Sequence, residues 1–157
     1  MTFDDVLWFV NVFTSGITAG ILVIVMTAVM PTVLSLPDET VVRFKRKFDP
    51  LVDRINPAFV LIALITGVLI LIVVDDLPTS ATIATIVGVA GSAGVAATSL
   101  GVNMRINRRM AGWPADAPPP PEFRSLIERW SKVHAVRTLS GVVAFAAYLI
   151  GVLAVID

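Results

Sequence analysis

Apolar positions in this chain gather into four long blocks separated by short polar connections, without the two-residue alternation of a half-buried strand. The blocks are Val6–Met30, Ala58–Val74, Ala81–Val102 and Thr138–Ile156. A helix needs roughly 20 mostly apolar residues to cross a bilayer core, so each block predicts one membrane span. The second is short, but apolar positions upstream extend it. The first reads as a span and not as a cleaved leader, because no basic residue precedes it and its apolar core is too long. The expectation is an all-α integral membrane four-helix bundle, one domain over residues 1–157, with cytoplasmic segments 31–57 and 103–137.

The two long connections are themselves patterned. In "DETVVRFKRKFDPLVDRI", Val41, Phe44, Phe48, Leu51 and Ile55 recur every three or four residues, which predicts an amphipathic helix that Pro50 and Pro57 should bend or break. After "ADAPPPP" the same spacing resumes with Phe123, Ile127, Trp130, His134 and Arg137 and runs into the fourth span. Spans two and four are therefore expected to protrude as helical extensions joined through Pro118–Pro121; the alternative lays these segments along the headgroups. Span three differs. Its "IVGVAGSAGVAATSLG" pairs Gly88 with Ser92, Ala90 with Gly94 and Ala97 with Gly101, spacings that let helix backbones approach closely. That face serves a cavity wall, ordinary close packing, or contact with a second copy or a membrane partner; close packing is its commonest use.

Charge placement sets the orientation. Arg43, Lys45, Arg46, Lys47 and Arg54 follow the first span, and every other basic residue lies from Arg105 to Arg137. The remaining polar segments carry acids alone: Asp4 and Asp5, Asp75 and Asp76 in the turn "DDLPTS", and Asp157. The positive-inside rule puts both basic connections in the cytoplasm and both termini outside, in a bacterial cytoplasmic membrane. Composition adds exclusions. Of 157 residues, 56% are hydrophobic; 12 basic and 12 acidic side chains cancel, which offers no basic field to nucleic acid. There is no cysteine and one histidine, which removes thiol redox chemistry and any cysteine- or histidine-clustered metal site within one chain. No cofactor is expected.

Polar groups near hydrocarbon usually turn inward. Asn11, Thr14 and Thr18 form one stripe on span one; the threonines can bond their own preceding turn, and Asn11 is expected to bond a neighbouring helix. More polar residues gather at the cytoplasmic ends of spans two, three and four. Asn56 precedes Pro57, Asn103 and Asn107 are one turn apart, Trp113 follows, and Trp130, His134 and Arg137 share one helical face. Taken singly, each has an ordinary role: tryptophans at interfaces, a snorkelling arginine, capping asparagines, a structural histidine. Taken together, they would line one mouth with a titratable group, a fixed cation, amides and aromatic walls. That chemistry suits a greasy, ring-shaped ligand that is anionic or enolisable. No glycine-rich phosphate loop lies in this region, and no G-x-S-x-G elbow exists.

Four pieces of the chain, "SGITAGILVIVMTAVMPTVLSL", "FDPLVDRINPAF", "VNMRINRRMAGW" and "FRSLIERWSKVHAVRTLSG", resemble the anthrone oxygenase-like family of small four-span membrane proteins. The last two are the more specific: an asparagine before a basic pair and a tryptophan, then W-x-x-x-H-x-x-R-T. The resemblance implies a four-helix bundle in the membrane and, for members tied to polyketide pathways, oxygenation of an anthrone-like aromatic without a cofactor. Under that implication His134 is the base; Arg137, Asn103 and Asn107 stabilise the enolate oxygen; Trp113 and Trp130 stack on the rings, and Asn56 adds a further contact. Two other classes remain open: a non-catalytic binder of lipid, quinone or polyketide, and an accessory subunit of a membrane complex. Four-span quinone-coupled thiol oxidoreductases are excluded, since their chemistry needs cysteines.

Overall fold

Each apolar run becomes a helix that continues past the run itself. The computed structural model describes residues 2–113 and 118–156, and no strand occurs among them. Helix α1 (Phe3–Ile24) passes through a π-helical turn at Val25–Val29 into α2 (Met30–Ser35). Helix α3 covers Asp38–Val73, and α4 (Thr79–Thr98) passes through a second π-turn at Ser99–Asn103 into α5 (Met104–Ala111). Helix α6 covers Phe123–Ile156. Four rods of 33, 36, 33 and 34 residues result, each long and apolar enough to cross a membrane. At 1.5 Å per residue each exceeds a hydrocarbon core of about 30 Å. The chain is a multi-pass membrane protein.

Local chemistry explains the ends. Thr2 caps α1 by accepting from the Asp5 amide at 3.2 Å, while the Asp5 carboxylate accepts from the Thr2 amide at 2.6 Å. The tight turn before α4 places Asp76 at φ 53°, which aspartate tolerates better than most residues. Both amphipathic connections are helical, as their spacing predicted, but α3 is unbroken at Pro50 and Pro57. An interior proline costs about 3 kcal/mol. Here buried Val41 and Lys45 anchor the helix before the prolines, Asn56 between them and Val60 after them. Rods one and three also run on past their apolar blocks, each through its π-turn. Residues 115–117 of "ADAPPPP" and the outer acid Asp157 lie outside the described residues.

The rods close into a four-sided bundle: α1 packs on α3, α3 on α4, α4 on α6, and α6 back on α1. The bundle is apolar outside and partly polar within. Phe9, Ile72, Ile83, Leu139 and Leu153 face outward, while Asn11, Thr18, Thr85 and Ser92 are buried. Asn11 donates to the Ala63 carbonyl at 2.8 Å and to Thr66 Oγ1 at 3.0 Å, the neighbouring-helix bond its position predicted. Thr14 and Thr18 bond their own preceding turns. Gly88 and Ser92 belong to close packing: a Cβ on Gly88 would sit 2.5 Å from the Tyr148 ring, and Ser92 Oγ lies 3.3 Å from the Tyr148 hydroxyl. Ala90, Ala97 and Gly101 face outward.

At the end of the bundle that carries the basic residues, Val25, Val33, Val41, Ile106, Phe123, Ile127 and Trp130 share one hydrophobic cluster. Arg124 ties it across the chain by donating to the Leu34 and Leu36 carbonyls and pairing with Asp38. The extensions thus form a packed cap drawn from all four rods.

Candidate functional site

The two π-turns both pack on α6. A π-turn carries one extra residue per turn, which disturbs the regular ladder and often marks a functional position. Just before the first one, the Leu22 carbonyl accepts from His134 Nε2 at 3.1 Å and lies 3.4 Å from Thr138 Oγ1. A carbonyl can only accept, so Nε2 carries the proton. A neutral His134 ring then has its lone pair on Nδ1, which has no hydrogen-bond partner among the described residues.

Trp130, one turn earlier, stacks on the His134 ring at 4.8 Å and 11°. The Lys45 ammonium lies 4.5 Å from the centroid of a Trp130 ring, a cation–π contact, and pairs with Asp49 at 2.9 Å. Burial pushes the Asp49 carboxyl above its ordinary range, and the Lys45 charge works against that shift. On the other side of His134, the Arg137 guanidinium donates to Ser99 Oγ at 3.4 Å, and its Nε has no partner. Ser99 opens the second π-turn and Asn103 closes it. His134, Asn103 and Arg137 are 0%, 1% and 8% exposed, and neither amide atom of Asn103 is paired.

Two chambers adjoin these residues. One of about 220 Å³ lies between α3, the second π-turn and α6; its polar lining is Asp53, Asn56, Ser99 and Arg137 among residues such as Val60 and Leu64. The other, about 340 Å³, lies between α3 and α5, with Lys45, Arg46, Asp49, Asp53, Asn107 and Arg108 on its walls. Asp53 and Met104 line both. Asn107 Nδ2 donates to Asp53 Oδ2 at 3.1 Å.

The predicted residues are therefore distributed over neighbouring places. Asn56 and Arg137 line the smaller chamber, and Asn107 lines the larger. His134, Trp130 and Asn103 are buried and line neither. Trp113 packs edge-on against Phe123 at 5.7 Å in the cap, and its carbonyl accepts from Arg46. Asn56, Asn103, Asn107, Trp130, His134 and Arg137 nevertheless share one property: each has a buried polar atom without a partner among the described residues. Such an atom costs roughly 1–3 kcal/mol when it stays unpaired, so these groups are candidates to meet water or a ligand; Trp8 and Asn11 carry such atoms at the other end.

Sequence reasoning missed Asp53, Ser99, Lys45 and the Leu22 carbonyl. Lys45, Asp49 and Asp53 do follow one another at helical spacing, which was a legible signal of a polar face inside an otherwise amphipathic segment. Among the described residues, no three His, Asp or Glu side chains come together as metal ligands.

A family model described as anthrone oxygenase matches residues 48–147, well over half of the chain. Comparisons with curated proteins and with solved structures found no match. The matched stretch contains the whole second chamber wall from Asp49 onward and every predicted site residue.

Proposed function

This chain belongs to the anthrone oxygenase family, and we propose that it oxidises an enolisable, anthrone-like aromatic with dioxygen in the chamber beside Arg137, without a cofactor. The supporting observation is Arg137 itself: a guanidinium buried in an apolar bundle, held by one 3.4 Å bond, with a chamber of about 220 Å³ against it. A fixed cation against a largely apolar wall favours negative charge that develops on a bound oxygen.

The chemistry needs little else. A base takes one proton from the ring CH₂, and the electron pair spreads onto the ring carbonyl as an enolate beside Arg137. The enolate passes one electron to dioxygen; radical and superoxide combine into a peroxide, which takes a proton. Removal of the second proton from the same carbon breaks the O–O bond and expels hydroxide, leaving the quinone and water. One dioxygen is consumed, with one of its atoms in each product. His134 Nδ1 is the assigned base, one turn from Arg137, and the Trp130 stack must part for substrate to reach it. Of the predicted contacts, Asn56 lines this chamber with Arg137 and can meet the substrate. Asn107 lines the other chamber, and Asn103, Trp130 and Trp113 line neither, so Asn103 and Trp130 reach the substrate only if Trp130 moves. One observation favours a second base: Asp53 lines the chamber with Arg137, and His134 does not.

Protein in lipid nanodiscs should convert anthrone under ¹⁸O₂ to anthraquinone carrying one ¹⁸O, well above the protein-free rate. Conversion at the protein-free rate would leave a membrane protein that binds aromatics without turning them over.

The orientation belongs to the same proposal. The basic end faces the cytoplasm and both termini face outward, so a phosphatase that is active only outside should be active when fused to the C-terminus. An inactive fusion alongside an active cytoplasmic reporter would reverse the orientation.

A further inference from the structure

The larger chamber has no task in that scheme, and its charge is uneven. Lys45 pairs with Asp49 at 2.9 Å, while Asp53 accepts from the neutral Asn107 amide at 3.1 Å and so keeps a formal negative charge in the wall. Arg46 and Arg108 remain, with no ion pair among the described residues. Arg46 donates to the Trp113 carbonyl, while its Nε is buried without a partner. The lining also includes apolar Val42, Met110 and Phe123. Two guanidinium groups against the one remaining carboxylate, Asp53, leave the chamber one formal positive charge in excess, which with its apolar wall suits an amphiphile bearing an anion.

Its position says which amphiphile. The two chambers share Asp53 and Met104 in their walls, the first toward the apolar middle of the bundle and the second at its basic end. A ligand spanning both has its rings at the depth of Val60 and Leu64 and its charge at headgroup level, the order in which an amphiphile already sits in a bilayer. A neutral three-ring substrate would use the first chamber alone. Resting on the oxygenase reading for the ring site, we propose that the preferred ligand is a fused-ring aromatic acid, whose anionic group lies against Arg46 and Arg108 while its rings lie beside Arg137. A charge-assisted contact to each guanidinium makes the acid the better ligand by about tenfold or more. Lipid phosphate offers the same anionic chemistry at the same depth, so the two sources must be separated.

The probes are anthraquinone-2-carboxylate and uncharged anthraquinone, read by quenching of tryptophan fluorescence with the full chain in phosphatidylcholine nanodiscs. The carboxylate is expected to bind about tenfold more tightly. Arg46→Gln with Arg108→Gln should erase that preference and leave anthraquinone affinity unchanged; Arg46→Lys, which keeps the charge, should preserve most of it. Exposed Arg108 makes Arg108→Gln alone a safe second variant should the double one fold poorly, and it should halve the preference or more. Equal affinities for the two probes, or a preference that survives in the double variant, would overturn the proposal. So would loss of the preference when phosphatidylglycerol is added, since the chamber would then belong to a lipid headgroup. A preserved preference without anthrone turnover would uphold the acid site and remove the oxygenase reading alone.

Discussion

Replacing Arg137 with methionine is expected to lower anthrone turnover about a hundredfold or more, with no loss of thermal stability. The two halves have one cause. Arg137 lies 8% exposed, with a 3.4 Å bond to Ser99 and an unpaired Nε. A buried cation held so loosely is a cost to the fold, and an apolar side chain of similar length removes that cost. Methionine fills the same volume beside Val60 and Leu64, so the chamber keeps its shape while it loses the charge opposite the enolate. The melting temperature in detergent should hold or rise as kcat falls. Arg137→Lys keeps the charge but not the planar fork, and should recover part of kcat at a raised KM. Wild-type turnover by Arg137→Met would remove Arg137 as the oxyanion partner and with it the observation on which the proposed function stands. Lost turnover accompanied by a collapsed melting transition would show a structural arginine instead.

The features that were legible in the sequence are those with a long repeat. Four apolar runs and the confinement of every Lys and Arg to two segments predict the rods and gather Asn56, Asn103, Asn107, Trp130, His134 and Arg137 at one end of the bundle. The spacing of Trp130, His134 and Arg137 predicts a shared face, and the stack of Trp130 on His134 follows from it. What escaped is set by single residues and by packing. Neither "VMTAV" nor "SLGVN" carries a sign of a π-turn, because one extra residue in a turn is a matter of how neighbouring rods fit. Without the π-turns, nothing identified the Leu22 carbonyl or Ser99 as partners of α6. The prolines of α3 misled for a similar reason: their cost is local, and the burial that outweighs it comes from other rods. Asp53 reads as a solvated charge on an amphipathic helix until α5 and α6 define chambers on either side of it.

The histidine is decided by proton abstraction measured without oxygen. Under argon the reaction stops at the enolate, and exchange of the anthrone CH₂ with deuterated solvent reports the base alone. His134→Ala is expected to slow exchange by about two to four orders of magnitude. That variant also takes the donor away from the Leu22 carbonyl and opens space beside Trp130, so a folding defect would mimic the effect. His134→Gln separates the two: its Nε2 reaches roughly where the imidazole Nε2–H stood and can still donate to Leu22, but an amide has no basic lone pair. It should therefore keep the melting temperature of the wild type and still fail to exchange. Asp53→Asn supplies the contrast, because Asp53 lines the chamber beside Arg137 and accepts from Asn107. Exchange lost in Asp53→Asn but intact in His134→Gln would move the base to the carboxylate, leaving His134 as the brace that fixes α6 against the first π-turn. Exchange intact in both would sink the base assignment altogether. Exchange lost in His134→Gln alone is the expected result, and it requires the stacked Trp130 to move when substrate binds, which its fluorescence should report on the same timescale.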